Sequence, residues 1–313
     1  MGTPEFAVPS LKALIDSEYD IVAVITSPDK PAGRGKVLQP SPVKKFAAAQ
    51  NLTILQPENL KDEDFVENLR KLNADLQIVV AFRILPEIVW SMPPLGTFNL
   101  HSSLLPQYRG AAPINHAIIN GEKKTGVSTF FIDQDIDTGK IILQETVDIE
   151  ENDNAGSLHD KLMFMGAGAV LRTVRLIETG NVAEIPQSQL INPNESLKKA
   201  PKIFKEDCRI PWEQEGRDIV NFVRGLSPYP SAFSILVCAN NEEKQMKLFE
   251  VTFEKADLSV PQGTIISDNK EYLKVASLNG YISIQSLQLQ GKNRMDVKSF
   301  LAGFRDITAC RFV

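Results

Sequence analysis

Two short runs constrain this chain more than anything else in it: Ile21–Thr26 (IVAVIT) and Leu76–Ala81 (LQIVVA). Each is almost wholly apolar and rich in β-branched residues. That is the pattern of a strand buried on both faces of a parallel sheet. Between them lie the helix-like segment Val43–Gln50, a short strand at Leu52–Leu55 and an amphipathic helix over Asp62–Leu72. Strands alternating with helices predict right-handed βαβ units and a Rossmann-like, mostly parallel α/β sheet. Such sheets take their ligands beyond the carboxyl ends of the strands. Phe82–Pro86 (FRILP) follows the second run directly, so Phe82, Arg83 and Leu85 are candidate ligand contacts. Arg83 reads equally well as a rim charge.

The start of the chain does not fit this scheme. Met1-Gly2-Thr3-Pro4 runs straight into a helix-like segment at Val8–Ile15. A doubly wound unit opens on a buried central strand, so the first strand is expected to be missing. The slot would carry unpaired backbone groups, each costing about 1–3 kcal/mol if buried and dry.

The least periodic and most motif-like stretch is Thr97–Ile114, TFNLHSSLLPQYRGAAPI. Its strand-like start places Asn99 and His101 two residues apart, so both side chains leave by one face. A turn at Ser103-Leu104-Leu105-Pro106 follows, then Tyr108-Arg109-Gly110 and a helix beginning at Pro113. Further on, a strand over Gly126–Ile132 meets DQDIDTG (133–139) and a strand over Lys140–Val147. Asp133 and Asp135 read as solvated loop acids, and the loop lacks the ligand spacing of a Ca²⁺ site. Asp137, ahead of Thr138-Gly139 in a tight turn, is the better candidate for a specific role. An Asn amide can stabilise an oxyanion, and an imidazole can carry protons to and from an amine. A neighbouring carboxylate orients that imidazole and favours its protonated form. Asn99, His101 and Asp137 therefore point to acyl transfer onto an amine that the substrate itself supplies. No Ser–His–Asp arrangement is present and one His with one Asp makes no zinc site, so no metal is expected. His116 and His159 lie within helical patterns and read as packed or surface residues.

Ser27–Pro42 holds four prolines and two glycines, which argues against regular structure there. From Asp29 to Lys45 five basic residues, Lys30, Arg34, Lys36, Lys44 and Lys45, face one acid. A flexible arm of this kind can contact phosphates, or be a solvated loop; it is not a P-loop. The longest helical pattern is Asn152–Gly180, and 188–205 reads as a linker with a basic bias. Beyond it a helix over Asp218–Leu226, five short strand candidates and a closing helix at Asp296–Leu301 suit a small β-barrel of the OB type.

The 313 residues suffice for two domains, and the net charge of −5 gives no overall nucleic-acid signal. Residues 206–313 balance 13 Lys and Arg against 14 Asp and Glu, so the barrel is not strongly basic either. Cys208, Cys238 and Cys310 are odd in number and widely spaced, which predicts neither a disulfide framework nor a metal site and fits a reducing cytoplasm. No run approaches the ~18 apolar residues of a membrane span, and no signal peptide is visible.

Taken together, Asn99-x-His101, Ser103-Leu104-Leu105-Pro106, Tyr108–Ile114 and Asp137-Thr138-Gly139 resemble the folate-dependent formyltransferase family. Gly2–Pro9 (GTPEFAVP) and Pro28–Lys36 (PDKPAGRGK) are similar to the branch of it that acts on methionyl-tRNA. The resemblance spans nearly the whole chain. It implies 10-formyltetrahydrofolate as donor, the α-amine of initiator methionyl-tRNA as acceptor, a catalytic domain over 1–187, a linker over 188–205 and a tRNA-binding barrel over 206–313. It implies that Asn99 holds the oxyanion, that His101 relays a proton and that Asp137 tunes His101. Folate would lie against Ser103, Leu104, Leu105 and Pro106, with its pterin between Phe82–Pro86 and the 133–137 loop. Lys30, Arg34, Lys36 and Lys44 would contact the tRNA, and a monomer is expected. Phe82-Arg83 departs from the small, Gly-containing turn many members carry there. The alternatives are a folate-dependent formyltransferase acting on a nucleotide or amino sugar, and a non-catalytic tRNA-binding protein. The basic loop and barrel disfavour the nucleotide acceptor; the intact Asn99, His101 and Asp137 disfavour the binding protein.

Overall fold

A computed structural model describes residues 1–32, 37–239, 242–304 and 306–313. The elements run α1 (Val8–Asp16), β1 (Val24–Ile25), β2 (Lys30–Ala32), β3 (Val37–Gln39), α2 (Pro42–Ala49), β4 (Ile54–Leu55), α3 (Glu63–Lys71), β5 (Gln77–Val80), α4 (Glu87–Trp90), β6 (Thr97–His101) and β7 (Arg109–Gly110). Next come α5 (Pro113–Ile119), β8 (Lys124–Phe131), β9 (Ile141–Asp148), α6 (Ala155–Glu178), β10 (Lys199–Ala200) and α7 (Gly216–Leu226). The rest are β11 (Ala232–Cys238), β12 (Glu243–Lys255), β13 (Ile265–Ser267), β14 (Leu273–Ala276), β15 (Gly280–Leu289), β16 (Met295–Asp296), α8 (Val297–Gly303) and β17 (Cys310–Phe312). The chain divides into two compact units, one of residues 1–110, 124–147 and 159–199, the other of 111–123, 148–158 and 200–313.

In the first unit, β1 pairs parallel with β4, and β5 parallel with β6. β6 then pairs antiparallel with β8, and β9 completes a four-stranded sheet in the order β5-β6-β8-β9. The sheet is thus mixed, with β5–β6 parallel and β6–β8 antiparallel. The two parallel pairs do not join as a continuous sheet. Met1 and Gly2 lie between them: the Gly2 amide donates to Ile25 O at 3.0 Å and the Val80 amide to Met1 O at 2.9 Å. Beside these two residues is a cavity of about 140 Å³ lined by Leu11, Leu14, Val22, Val24, Leu69 and Ile78, among others. The walls of this cavity are largely apolar.

β6 is held firmly. Phe98 and Leu100, on one face, are buried. A Cβ at Gly166 of α6 would stand 2.6 Å from Leu100 Cδ2, so glycine there lets the helix seat directly on the strand. Leu158 and Leu162 are fully buried along α6, and Thr173 pairs with Thr129 of β8 at 2.7 Å. The other face of β6 is left to Asn99 and His101.

The second unit is an antiparallel barrel in the order β13-β14-β15-β12-β11-β17, with β16 on β15. An antiparallel bridge from Thr264 to Arg311 and the Phe312 amide donating to Gly263 O at 3.0 Å bring its ends together. Its core gathers Trp212, Ile219, Val223, Leu236, Leu248, Ile284 and Phe312.

Three expectations need correction. Ser27–Pro42 is not free of regular structure: β2 and β3 form an antiparallel pair, Pro31 standing opposite Leu38. The closing strand β17 escaped notice because three residues, Cys-Arg-Phe, carry no readable period. The cysteines are not all free. Cys238 and Cys310 face each other across β11 and β17 and are joined by a disulfide, leaving Cys208 buried and free. Sequence spacing missed this because the 72-residue separation is closed by barrel topology alone.

Candidate active site

The site grows from the end of β6. Period-two alternation turns Asn99 and His101 to one side, as the spacing predicted. Asn99 is half-buried, and no hydrogen bond to another described residue holds its amide. His101 is 7% exposed, and its Nε2–H donates to the Tyr108 carbonyl at 2.9 Å. That bond fixes the tautomer. Only Nδ1 remains to exchange a proton, and Nδ1 stands 3.9 Å from Asp137 Oδ2. At that separation the carboxylate is outside direct hydrogen-bond range but lies beside the open ring nitrogen.

Asp137 itself is held in a left-handed conformation, φ 56°. Its Oδ2 accepts from the Gly110 amide at 3.0 Å. Thr138 Oγ1 ties the loop by donating to Asp133 Oδ1 at 2.7 Å. Gly139 then lets the turn meet β8, because a Cβ there would lie 1.7 Å from the Phe131 carbonyl oxygen. The Asp-Thr-Gly order has a physical reason at each position: a carboxylate aimed inward, a hydroxyl that closes the loop, and a residue with no side chain.

The segment after His101 is anchored by its own interior. Ser103 Oγ donates to Gln107 O at 2.7 Å, and the Leu105 amide donates to Ser128 Oγ at 3.1 Å. Ser103, Leu105 and Pro106 are buried, Leu105 packing with Phe130 and Ile141. Leu104 alone of the four is partly open. At the end of β5, Ala81 turns with φ 48°, Phe82 is half-buried and Leu85 is buried in the core. Arg83 donates Nη1 to Glu58 O at 2.7 Å and Nη2 to Pro57 O, so its charge is engaged by backbone. The residue that reaches outward there is Ile84, 74% exposed, matched by Ile136 on the acidic loop at 59%. Sequence reasoning named neither as a contact; Ile136, a lone isoleucine among polar loop residues, carried a readable signal, whereas Ile84 is lost between the apolar Phe82 and Leu85.

Of the basic residues, Lys30 is exposed on β2. Lys44 is ion-paired with Asp29 at 2.7 Å, and this contact, with Gln56, holds the Asp29 carboxyl below its usual range. Arg34 and Lys36 lie outside the described residues. His116 Nε2 donates to Pro201 O at 3.0 Å and His159 pairs with Asp160, the bland roles expected of them. A residue missed entirely is Gln187, assigned to the edge of the linker, yet 3% exposed and bonded to Asp137 and Arg109. Among the described residues no cluster of side chains could hold a metal ion, and no helix is long and apolar enough to cross a membrane.

The "Formyl transferase" family model matches residues 1–174, and its C-terminal domain counterpart matches 202–305. The chain belongs to the formyl transferase family. Within it, the chain is 53% identical to the methionyl-tRNA formyltransferase of Parabacteroides distasonis, over 98% of this chain and 95% of that one. It is 56% identical to the methionyl-tRNA formyltransferase of Phocaeicola vulgatus, over 97% and 94%. Among solved structures it is similar in fold to WlaRD, a sugar 3N-formyl transferase solved with dTDP and 5-N-formyl-THF. That match has a TM-score of 0.62 at 22% identity, over 93% of this chain and 97% of that one.

Proposed function

We infer that this chain is a methionyl-tRNA formyltransferase, moving a formyl group from 10-formyltetrahydrofolate to the α-amine of initiator methionyl-tRNA. The observation that carries the reading is near-full-length identity above 50% to relatives of that name. The geometry supports a chemistry to match. The donor supplies an activated formyl carbon, and the acceptor's neutral α-amine attacks it; an ordinary α-amine pKa near 7.7 leaves a useful neutral fraction at pH 7. Asn99, its amide unengaged among the described residues, donates to the oxyanion as it forms. His101 takes the amine's proton at Nδ1, the nitrogen left open by the Tyr108 contact, and returns it to the departing folate nitrogen. Asp137 stabilises the imidazolium between these events. One C–N bond forms, one breaks, and the proton passes from the old amine to the new.

The residues fit a folate. Ile84 and Ile136, each extended into solvent from the two segments expected to flank the pterin, offer apolar faces to a flat ring. Leu104 and the adjacent peptide edges are proposed as the rest of that wall, with Ser103, Leu105, Pro106, Phe82, Arg83 and Leu85 shaping it from behind. Lys30, Arg34 and Lys36 are proposed to meet the tRNA phosphates, with Lys44 contributing once its pairing to Asp29 exchanges. We assign catalysis to 1–187, the tRNA body to 206–313 and the linker to 188–205, in a monomeric cytoplasmic enzyme.

The test is direct. Purified protein, 10-formyltetrahydrofolate and methionyl-tRNA of the initiator type should yield formylmethionyl-tRNA. Formylation of an aminosugar nucleotide or of glycinamide ribonucleotide instead, with the tRNA untouched, would overturn the assignment.

A further inference from the structure

We propose that Gln187 is a positioning residue for formyl transfer, setting the Asp137–His101 geometry through a closed ring of hydrogen bonds. The proposal rests on the reaction assigned above. Gln187 Nε2 donates to Asp137 O and to Gly139 O, each at 2.9 Å. Its Oε1 accepts from Arg109 Nε at 3.0 Å and Nη2 at 2.6 Å. Arg109 is followed by Gly110, whose amide donates to Asp137 Oδ2 at 3.0 Å. Arg109 is preceded by Tyr108, whose carbonyl accepts a hydrogen bond from His101 Nε2–H at 2.9 Å. One buried amide therefore ties the turn that presents Asp137 to the segment that orients His101.

Both halves of the ring need such a tie. Asp137 sits at φ 56° and Tyr108 at φ 61°, conformations that L residues hold only when surroundings impose them. The ring also explains why the residue is glutamine. A primary amide has two N–H donors and one oxygen with two acceptor sites, and here two carbonyls and two guanidinium N–H groups engage all four. Glutamate would keep the Arg109 contact and lose both donors. Lysine would keep donors and lose the acceptor. Methionine would keep the volume and lose everything polar. Gln187 itself lies behind the turn, touching the backbone of Asp137 and not its carboxylate, so it acts through its neighbours.

The experiment compares Gln187→Met, Gln187→Glu and, as a control in the same turn, the exposed Gln189→Ala, all in the full chain. Steady-state formylation should show kcat falling by up to about 100-fold for Gln187→Met, the scale expected for misplacement of a reacting group by about 1 Å. KM for folate and tRNA should move less than threefold, and Gln189→Ala should match the unaltered protein. In an Asp137→Asn background, Gln187→Met should cost no more than a further twofold, because its effect runs through Asp137. A readout independent of turnover is the side-chain NMR of the three histidines: His101 should shift in both Gln187 variants while His116 and His159 stay in place. Unchanged kcat, a loss confined to KM, or full additivity with Asp137→Asn would overturn the proposal. An unmoved His101 resonance would overturn it as well. Should Gln187→Met fail to fold, Gln187→Glu carries the same predictions. An unaltered protein that formylates no methionyl-tRNA would instead overturn the reading of the reaction.

Discussion

At the scale of single residues, function turns on which atoms are free. Among the described residues nothing bonds the Asn99 side-chain amide, and of the two His101 ring nitrogens Nε2 alone is hydrogen-bonded. Replacing His101 with alanine should lower kcat by about 10²–10⁴, the usual worth of a positioned proton carrier, with tRNA affinity retained in a binding titration. Asn99→Ala should lower kcat by about 10²–10³, as for loss of one oxyanion donor, and burst kinetics would place that loss in the chemical step. The side chains most evident in the sequence motif are not all open to a ligand. Ser103 and Leu105 are buried, so their part is to fix the loop. That distinction was invisible in the sequence, because a buried and an exposed leucine read alike in a short aperiodic segment.

At the scale of elements, the two short apolar runs were legible because a strand buried on both faces is apolar throughout, and the helix stripes because burial on one face imposes a period. The short pieces were not. β2 and β3 pair across a proline-rich segment whose composition argues for a loop. β17 is three residues long and is a strand only because the barrel must close. Its disulfide to β11 makes a prediction. Cys310→Ser, or reduction, should destabilise the barrel by about 2–4 kcal/mol, the usual worth of a cross-link closing a long loop. Trp212 stacks on Phe312 at 5.5 Å, so its fluorescence in a Trp90→Phe background reports detachment of β17. A second prediction concerns the turn that presents Asp137. Gly139→Ala forces a Cβ onto the Phe131 carbonyl and should cost on the order of 2–4 kcal/mol, measured as a lowered midpoint in urea.

At the scale of the whole molecule, the two parallel pairs of the first unit are bridged by backbone alone: the Gly2 amide donates to Ile25 O at 3.0 Å and the Val80 amide to Met1 O at 2.9 Å. Beside them lies a cavity of about 140 Å³ with largely apolar walls. Each unit builds its own core, and the barrel of the second closes through strands whose pairing is long-range.

The sequence by itself determined the α/β class, the barrel, the strand that carries Asn99 and His101, and the family, because these follow from local period and from contiguous motifs. Only the tertiary structure decided which histidine nitrogen is open, that Asp137 faces it, and that Gln187 binds the turn from behind. The reason is physical. The first contact spans only 7 positions but depends on a loop whose Tyr108 sits at φ 61°, and the others join residues 36, 50 and 78 positions apart. No local propensity specifies a pairing at such separation; the packed sheet and its loops do.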